Sequence, residues 1–212
     1  MKKITIIDYG CGNILSLSRA IQFLGYKPEV TRDTKKILSS SNVILPGVGA
    51  FGNAIKKLEE YNLRQTLLDY AKIKKKPLLG ICLGMQILLS KSYEFGKHSG
   101  LGLIEGEVIK ISSKKDKKIK IPHIGWNEIH LLNEERKLRS KILQESLIGK
   151  SFYFVHSYVA ITKNKHSTIA FCKYSDIHIS AIIENENVFG CQFHPEKSGK
   201  NGLSILKIFC EI

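Results

Sequence analysis

The first half of the chain alternates short apolar runs with longer segments in which apolar residues recur every third or fourth position. Ile4 to Asp8 opens with a β-branched run; after the polar, glycine-bearing stretch Tyr9–Asn13, residues Ile14, Leu17, Ile21 and Leu24 repeat at helical spacing. Strand, loop and helix follow in that order. Val43–Leu45 reads as a strand stopping at Pro46-Gly47-Val48-Gly49, and 54–72 as a helix broken near Tyr61 and Asn62. Pro77–Leu79 reads as a buried strand entering Gly80-Ile81-Cys82-Leu83-Gly84-Met85-Gln86, with helix from Met85 to Ser90. Strands alternating with helices predict a largely parallel sheet covered on both faces, an α/β fold.

The second half changes character. Short strand-like runs lie at Gly106–Ile111, Trp126–Leu131, Ser151–Ile161, Thr168–Tyr174, Ile179–Glu184 and Val188–Phe193, and their closeness in sequence favours antiparallel pairing. The lysine-rich Ser112–Lys118 reads as the solvated tip of a hairpin. With no internal repeat, low-complexity linker or composition break, residues 1–212 read as one domain.

Charge alters this picture little. Thirty-three Lys and Arg against nineteen Asp and Glu give a net charge of +14, yet only five of the basic residues are Arg and the lysines are scattered. Arg is the side chain suited to bidentate phosphate and base recognition, so a solvated basic face is expected rather than a nucleic-acid surface. Five cysteines without a CxxC pair argue for a reducing compartment. The apolar run after Met1-Lys2-Lys3 is too short for a signal peptide or a membrane span, so a cytoplasmic protein is expected.

Candidate chemistry concentrates at Cys82. A strand running into Gly-x-Cys-x-Gly and then a helix is the nucleophile-elbow pattern with cysteine in place of serine. Such an elbow lifts the thiol to a helix N-terminus, whose partial positive charge favours a thiolate, and aims the Leu83 N–H toward a developing oxyanion. A thiolate nucleophile works with a general base held by an acceptor on its other ring nitrogen. Gln192-Phe193-His194-Pro195-Glu196-Lys197-Ser198 supplies His194 and, two residues on, Glu196. Zinc is a weaker reading, because Cys191 and His194 offer only two ligands. His123 and His156 sit beside hydrophobic strand residues and read as structural histidines, and Trp126 as either core or a partner contact.

Together, Gly80–Gln86 and Gln192–Ser198 resemble the class I, triad-type glutamine amidotransferases. Asp8–Asn13, Leu45–Gly52, Pro122–Asn127 and Tyr153–Tyr158 narrow this to similarity with the glutaminase subunit of imidazole glycerol phosphate synthase, running from Lys3 to Phe209. The resemblance implies a flavodoxin-like amidotransferase fold: a mostly parallel central sheet with helices on both faces and an antiparallel extension. It implies hydrolysis of L-glutamine to glutamate and ammonia by Cys82, His194 and Glu196, with no cofactor or metal. Val48, Gly49 and Leu83 would form the oxyanion hole; Gly47, Gln86, Glu94, Ser157 and Tyr158 would hold glutamine; Asn13, Trp126 and Lys197 would meet a partner. That partner would be a (β/α)8-barrel synthase (cyclase) subunit in a heterodimer, using the ammonia to make imidazole glycerol phosphate and AICAR in histidine biosynthesis.

The stretches Lys137–Lys150 and Phe171–His178, and the lysine-rich hairpin, depart from that subunit's pattern. They keep open a paralogue whose ammonia amidates a cell-surface sugar. A stand-alone thiol hydrolase and a noncatalytic binding protein are more distant readings; Gly47-Val48-Gly49 lacks the third glycine of a nucleotide fingerprint.

Overall fold

A computed structural model describes residues 1–112, 119–132 and 140–212. Among the described residues nine strands form the main sheet, in the order β2-β1-β3-β4-β13-β12-β11-β8-β9. β1 (Lys3–Ile7), β2 (Lys27–Thr31), β3 (Val43–Leu45), β4 (Leu78–Ile81) and β13 (Val188–Cys191) are mutually parallel. β12 (Ile177–Asn185), β11 (Thr168–Tyr174), β8 (His123–Leu131) and β9 (Ser151–His156) extend it antiparallel. The expected α/β architecture with an antiparallel extension is therefore present. A second sheet, β10-β7-β5-β6, comprises β10 (Tyr158–Thr162), β7 (Ile104–Lys110), β5 (Leu89–Ser92) and β6 (His98–Ser99).

Strand alternation sorts the core onto two faces. Ile4 and Ile6 of β1 pack with Leu17 and Ile21 of α1 (Ile14–Phe23) and with Leu206 and Phe209 of α6 (Gly199–Glu211). Ile7 points the other way, joining Ile37 of α2 (Thr34–Ser39), Phe51 and Leu58 of α3 (Phe51–Glu60), Leu67 of α4 (Leu63–Leu68) and Met85 of α5 (Leu83–Ile87). Period two in the strand and 3.6 in the helices bring these faces together.

Three expectations need correction. The helix read from Met85 to Ser90 ends at Ile87, and Leu89–Ser92 is β5. The cause is tertiary: the 100–104 segment lies against this turn, with Leu101 N–H donating to Ile87 O and Leu103 N–H to Leu88 O, so the carbonyls that would continue the helix are taken. Next, Ser151–Ile161 is two strands, because the chain leaves the main sheet after His156 and enters the second sheet at Tyr158. Finally, the flanks of the lysine-rich segment, β7 and β8, belong to different sheets, so among the described residues they do not form a hairpin; residues 113–118, the expected tip, lie outside the described residues. Of the 137–150 stretch, 137–139 lie outside them too.

The elbow glycine Gly84 shows how tightly α5 is pressed onto the sheet, since a Cβ there would stand 1.9 Å from the Leu45 carbonyl oxygen. Gly84→Ala should therefore destabilise the fold by about 1–3 kcal/mol or more, as overpacking against backbone does. Urea unfolding should show a lower midpoint at unchanged slope. An unchanged midpoint would mean that β3 and α5 separate at no cost.

Candidate active site

Cys82 occupies the junction between β4 and α5 with φ 53° and ψ −111°, a conformation side-chain-bearing residues rarely adopt. The flanking strands hold it there. Cys82 N–H donates to Cys191 O of the neighbouring β13 at 2.8 Å, and Gln86 N–H closes the first helical turn onto Cys82 O. The sulfur lies 3.7 Å from Val155 O and 3.8 Å from Gln192 Nε2.

β13 also delivers His194. His194 sits just past its end, its N–H donating to Tyr153 O at 3.0 Å and its carbonyl accepting from the Ser198 hydroxyl at 2.7 Å. The same hydroxyl accepts from Tyr153 N–H at 2.9 Å, so one buried serine fixes the His194 loop to β9. His194 Nδ1 is 2.9 Å from Glu196 Oε1, and the two side chains are 4% and 3% exposed. Burial alone would lower the His194 pKa, but hydrogen bonds to Cys82 and Glu196 and the negative charge on both outweigh it and push the value up to about 10. The imidazole thus carries a proton between a sulfur and a carboxylate. The other carboxylate oxygen, Oε2, is buried without a hydrogen-bond partner among the described residues.

Cys82 and His194 open onto a cleft of about 380 Å³ that is also lined by Val48, Gly49, Leu83, Gln86, Glu94, Ser157 and Tyr158. Of the residues expected to act on substrate, only Gly47 and Glu196 lie behind this surface, Gly47 packed against Gly84 and Glu196 behind His194. Glu94 Oε2 accepts from Phe51 N–H at the start of α3, a helix with no side-chain cap of its own, and the helix terminus favours that negative charge. Gln86 is buried and donates from Nε2 to Tyr158 O and to Gln192 Oε1, both at 3.0 Å.

The expected oxyanion hole is closed. Leu83 N–H donates to Gly47 O at 3.3 Å, while Val48 N–H turns away to Cys11 O at 2.9 Å. The Gly47–Val48 peptide therefore presents its carbonyl where a donor would be needed. Gly49, at φ +100° with open space around its Cα, is the permissive hinge beside it.

Of the expected partner residues, Asn13 and Lys197 neighbour Glu196, and Trp126 stands on β8. Asn13 caps α1 and lines a narrow crevice with Glu196, and Lys197 is exposed next in sequence. Trp126 is 56% exposed, its ring 5.9 Å from that of Tyr153. Neither Gln192, Tyr9 nor Ser198 is singled out by sequence patterning. Tyr9 donates to Pro46 O at 2.8 Å and so fixes the start of the glycine-rich loop.

This geometry coincides with family evidence. The model of glutamine amidotransferase class-I matches residues 5–211. The chain belongs to that family. It is 45% identical over its whole length, and the whole length of the relative, to imidazole glycerol phosphate synthase subunit HisH 1 of Legionella pneumophila (strain Lens). It is 43% identical to the HisH subunit of Aquifex aeolicus over 96% of this chain and 94% of that one. Among solved structures, that of PurLQS from Thermotoga maritima superposes with a TM-score of 0.73 at 18% identity, over 99% of this chain and 98% of that one, and supports the fold alone. No helix among the described residues of this amidotransferase is long and apolar enough to cross a membrane.

The raised pKa of His194 ties stability to pH with a definite sign. Because the folded state favours the charged ring, the stabilisation is complete below the ordinary value of 6.5 and fades as pH rises toward about 10. Glu196→Gln, which removes one partner of the charged ring, should unfold at lower urea concentration than the parent, with the deficit largest at the acid end of that window and shrinking toward its alkaline end. A deficit that widened with rising pH would contradict a protonated His194.

Proposed function

We propose that the chain is the glutaminase subunit of an imidazole glycerol phosphate synthase, hydrolysing L-glutamine to glutamate and passing ammonia to a (β/α)8-barrel synthase subunit in a heterodimer. The observation that carries the reading is the convergence at one cleft of Cys82 from one segment and His194 from another, with Glu196 behind His194. The Cys82 sulfur attacks the side-chain amide carbon of glutamine; His194 gives its proton to the departing nitrogen, leaving a thioester. His194 then takes a proton from water as the water attacks the thioester, and glutamate leaves as the sulfur is regenerated. Glu196 orients the ring and stabilises its charge. Glu94, Gln86, Ser157 and Tyr158 hold the amino-acid end.

The identity to HisH subunits over the full chain favours histidine biosynthesis over a sugar-amidating paralogue. Exposed Ile124 and Trp126 on β8, beside the His194 loop, favour a subunit over a stand-alone hydrolase, because they leave an apolar surface for a partner to cover.

Cys82→Ala in the complex should abolish glutamine-dependent synthesis and leave synthesis from ammonium salt intact. Loss of both would place Cys82 in folding or docking instead of chemistry. The closed oxyanion hole carries a second expectation. Rotating the Gly47–Val48 peptide would release Leu83 N–H and turn Val48 N–H inward, and one such donor is typically worth about 10²–10³ in rate. Glutamine turnover by the isolated chain should therefore be slower than in the acceptor-loaded complex by about that factor. Equal turnover at saturating glutamine would exclude a gate at this peptide.

A further inference from the structure

Two buried histidines that the triad does not use form the middle of a hydrogen-bond chain reaching the nucleophile. His123 Nδ1 is 3.0 Å from His156 Nε2, and His156 Nδ1 is 2.9 Å from Tyr158 O. That carbonyl also accepts from Gln86 Nε2, whose second hydrogen goes to Gln192 Oε1, and Gln192 Nε2 points at the Cys82 sulfur from 3.8 Å. At the other end, His123 Nε2 lies 2.7 Å from the Asn127 side-chain amide. Asn127 is next to the exposed Trp126, so the chain runs from the surface of β8 to the sulfur.

The directions of these bonds are forced. A carbonyl oxygen only accepts, so His156 must carry its hydrogen on Nδ1 and offer a lone pair at Nε2. His123 must then donate from Nδ1, leaving Nε2 as an acceptor facing Asn127. With the Asn127 oxygen placed there, two acceptors would meet at 2.7 Å unless His123 took on a proton. Rotating the amide by half a turn places Nδ2 against His123 instead and exchanges its 3.3 Å, solvent-exposed bond to Lys173 O for an oxygen–oxygen contact that water can screen. Losing an exposed bond costs far less than charging a ring pressed between Phe154 and Tyr174. Burial, which lowers the pKa of His123 and lowers that of His156 to about 3, acts in the same direction. Both rings are neutral, and Asn127 is the donor that starts the chain.

We propose that Asn127, His123 and His156 are positioning residues of the glutaminase site, fixing the Tyr158 carbonyl and through it the 157–158 loop and the Gln86 amide that face the cleft. The proposal rests on the glutaminase reading, and its consequence is that a strand bearing the apolar surface sets the shape of the glutamine pocket. None of the three touches the reacting atoms, so their loss weakens the grip on glutamine more than it slows the chemical step.

The test uses His123→Phe, which keeps a ring between Phe154 and Tyr174 and deletes both hydrogen bonds, in the complex with its synthase subunit. The KM for glutamine should rise roughly tenfold, the worth of one neutral hydrogen bond, with a smaller change in kcat and unaltered ammonia-dependent synthesis. His123→Gln, which restores a donor toward His156, should recover most of the loss. A KM equal to wild type, or equal losses with glutamine and with ammonia, overturns the proposal. If His123→Phe does not fold, Asn127→Leu, at the half-buried outer end, should give the same KM effect in weaker form. Ring ¹⁵N shifts of the wild-type chain read the bond directions without any activity: neutral His156 protonated at Nδ1 supports the chain, and protonation at Nε2 overturns it. Because that spectrum is independent of turnover, a wild-type complex inactive on glutamine would refute the glutaminase reading without deciding the bond directions.

Discussion

The backbone of Cys82 is the constraint on which the rest of the site depends. At φ 53° and ψ −111° it sits where a Cβ is strained, and conformations of this kind cost of order 1–3 kcal/mol and persist only when their surroundings fix them. Here the surroundings are β4 and β13 on one side and α5 on the other. Cys82 N–H is taken by Cys191 O, so the residue cannot relax into a continued strand without breaking the ladder between β4 and β13. Gly80 and Gly84 follow from the same geometry, because a Cβ on Gly80 would lie 2.6 Å from Gly84 O. Because β13 both supports the elbow and ends at Cys191, three residues before His194, the strand that strains Cys82 also brings His194 to it. Cys82 and His194 are thus fixed at the ends of neighbouring parallel strands rather than on independent loops, and the ends of parallel strands are where open α/β sheets place their sites.

That arrangement explains which parts were legible in the chain. Cys82, His194 and Glu196 could be read because their constraints are local: two glycines at fixed offsets, a proline between histidine and glutamate, an apolar run before each. β1, α1, β3, α3, α4 and β4 could be read for the same reason, whereas the short α2 goes unread. By contrast β2, Lys27–Thr31, carries Pro28 and three polar residues at the edge of the sheet, where neither face is fully buried, so no period marks it. The early end of α5 depends on donors from 100–104, which its own residues do not encode. α6 is a different case: Ile205, Leu206, Phe209 and Cys210 recur at helical spacing, and the signal is present although overshadowed by the motif before it. Gln192 illustrates the limit for the site, since a buried glutamine next to a catalytic motif acquires meaning only when Gln86 and the Cys82 sulfur are found around it.

Ser198 shows how a residue's place in one element can be given up for another. It stands at the N-cap of α6, where serine ordinarily bonds the first helical amides, yet its hydroxyl makes no such bond. It instead joins His194 O to Tyr153 N–H. A cap is worth about 1 kcal/mol, a loss a thirteen-residue helix packed by five buried residues can absorb, whereas without this link the His194 loop would lose its tie to β9.

The two histidines lining the cleft show that burial alone does not set chemical role. Desolvation disfavours the charged ring of both His156 and His194. His194 faces a carboxylate and a sulfur, whose hydrogen bonds and negative charge more than offset that cost, so it holds a proton. His156 faces a carbonyl and a second neutral imidazole, which supply a direction for a hydrogen bond but no charge, so it stays neutral. A neutral ring with one fixed donor is suited to holding a loop, and a charged ring held by a carboxylate to moving a proton. Were a second carboxylate placed beside His156, the cleft would hold two neighbouring imidazolium ions, and each would lower the proton affinity of the other. The separation of the two environments keeps the single proton on the ring that can use it.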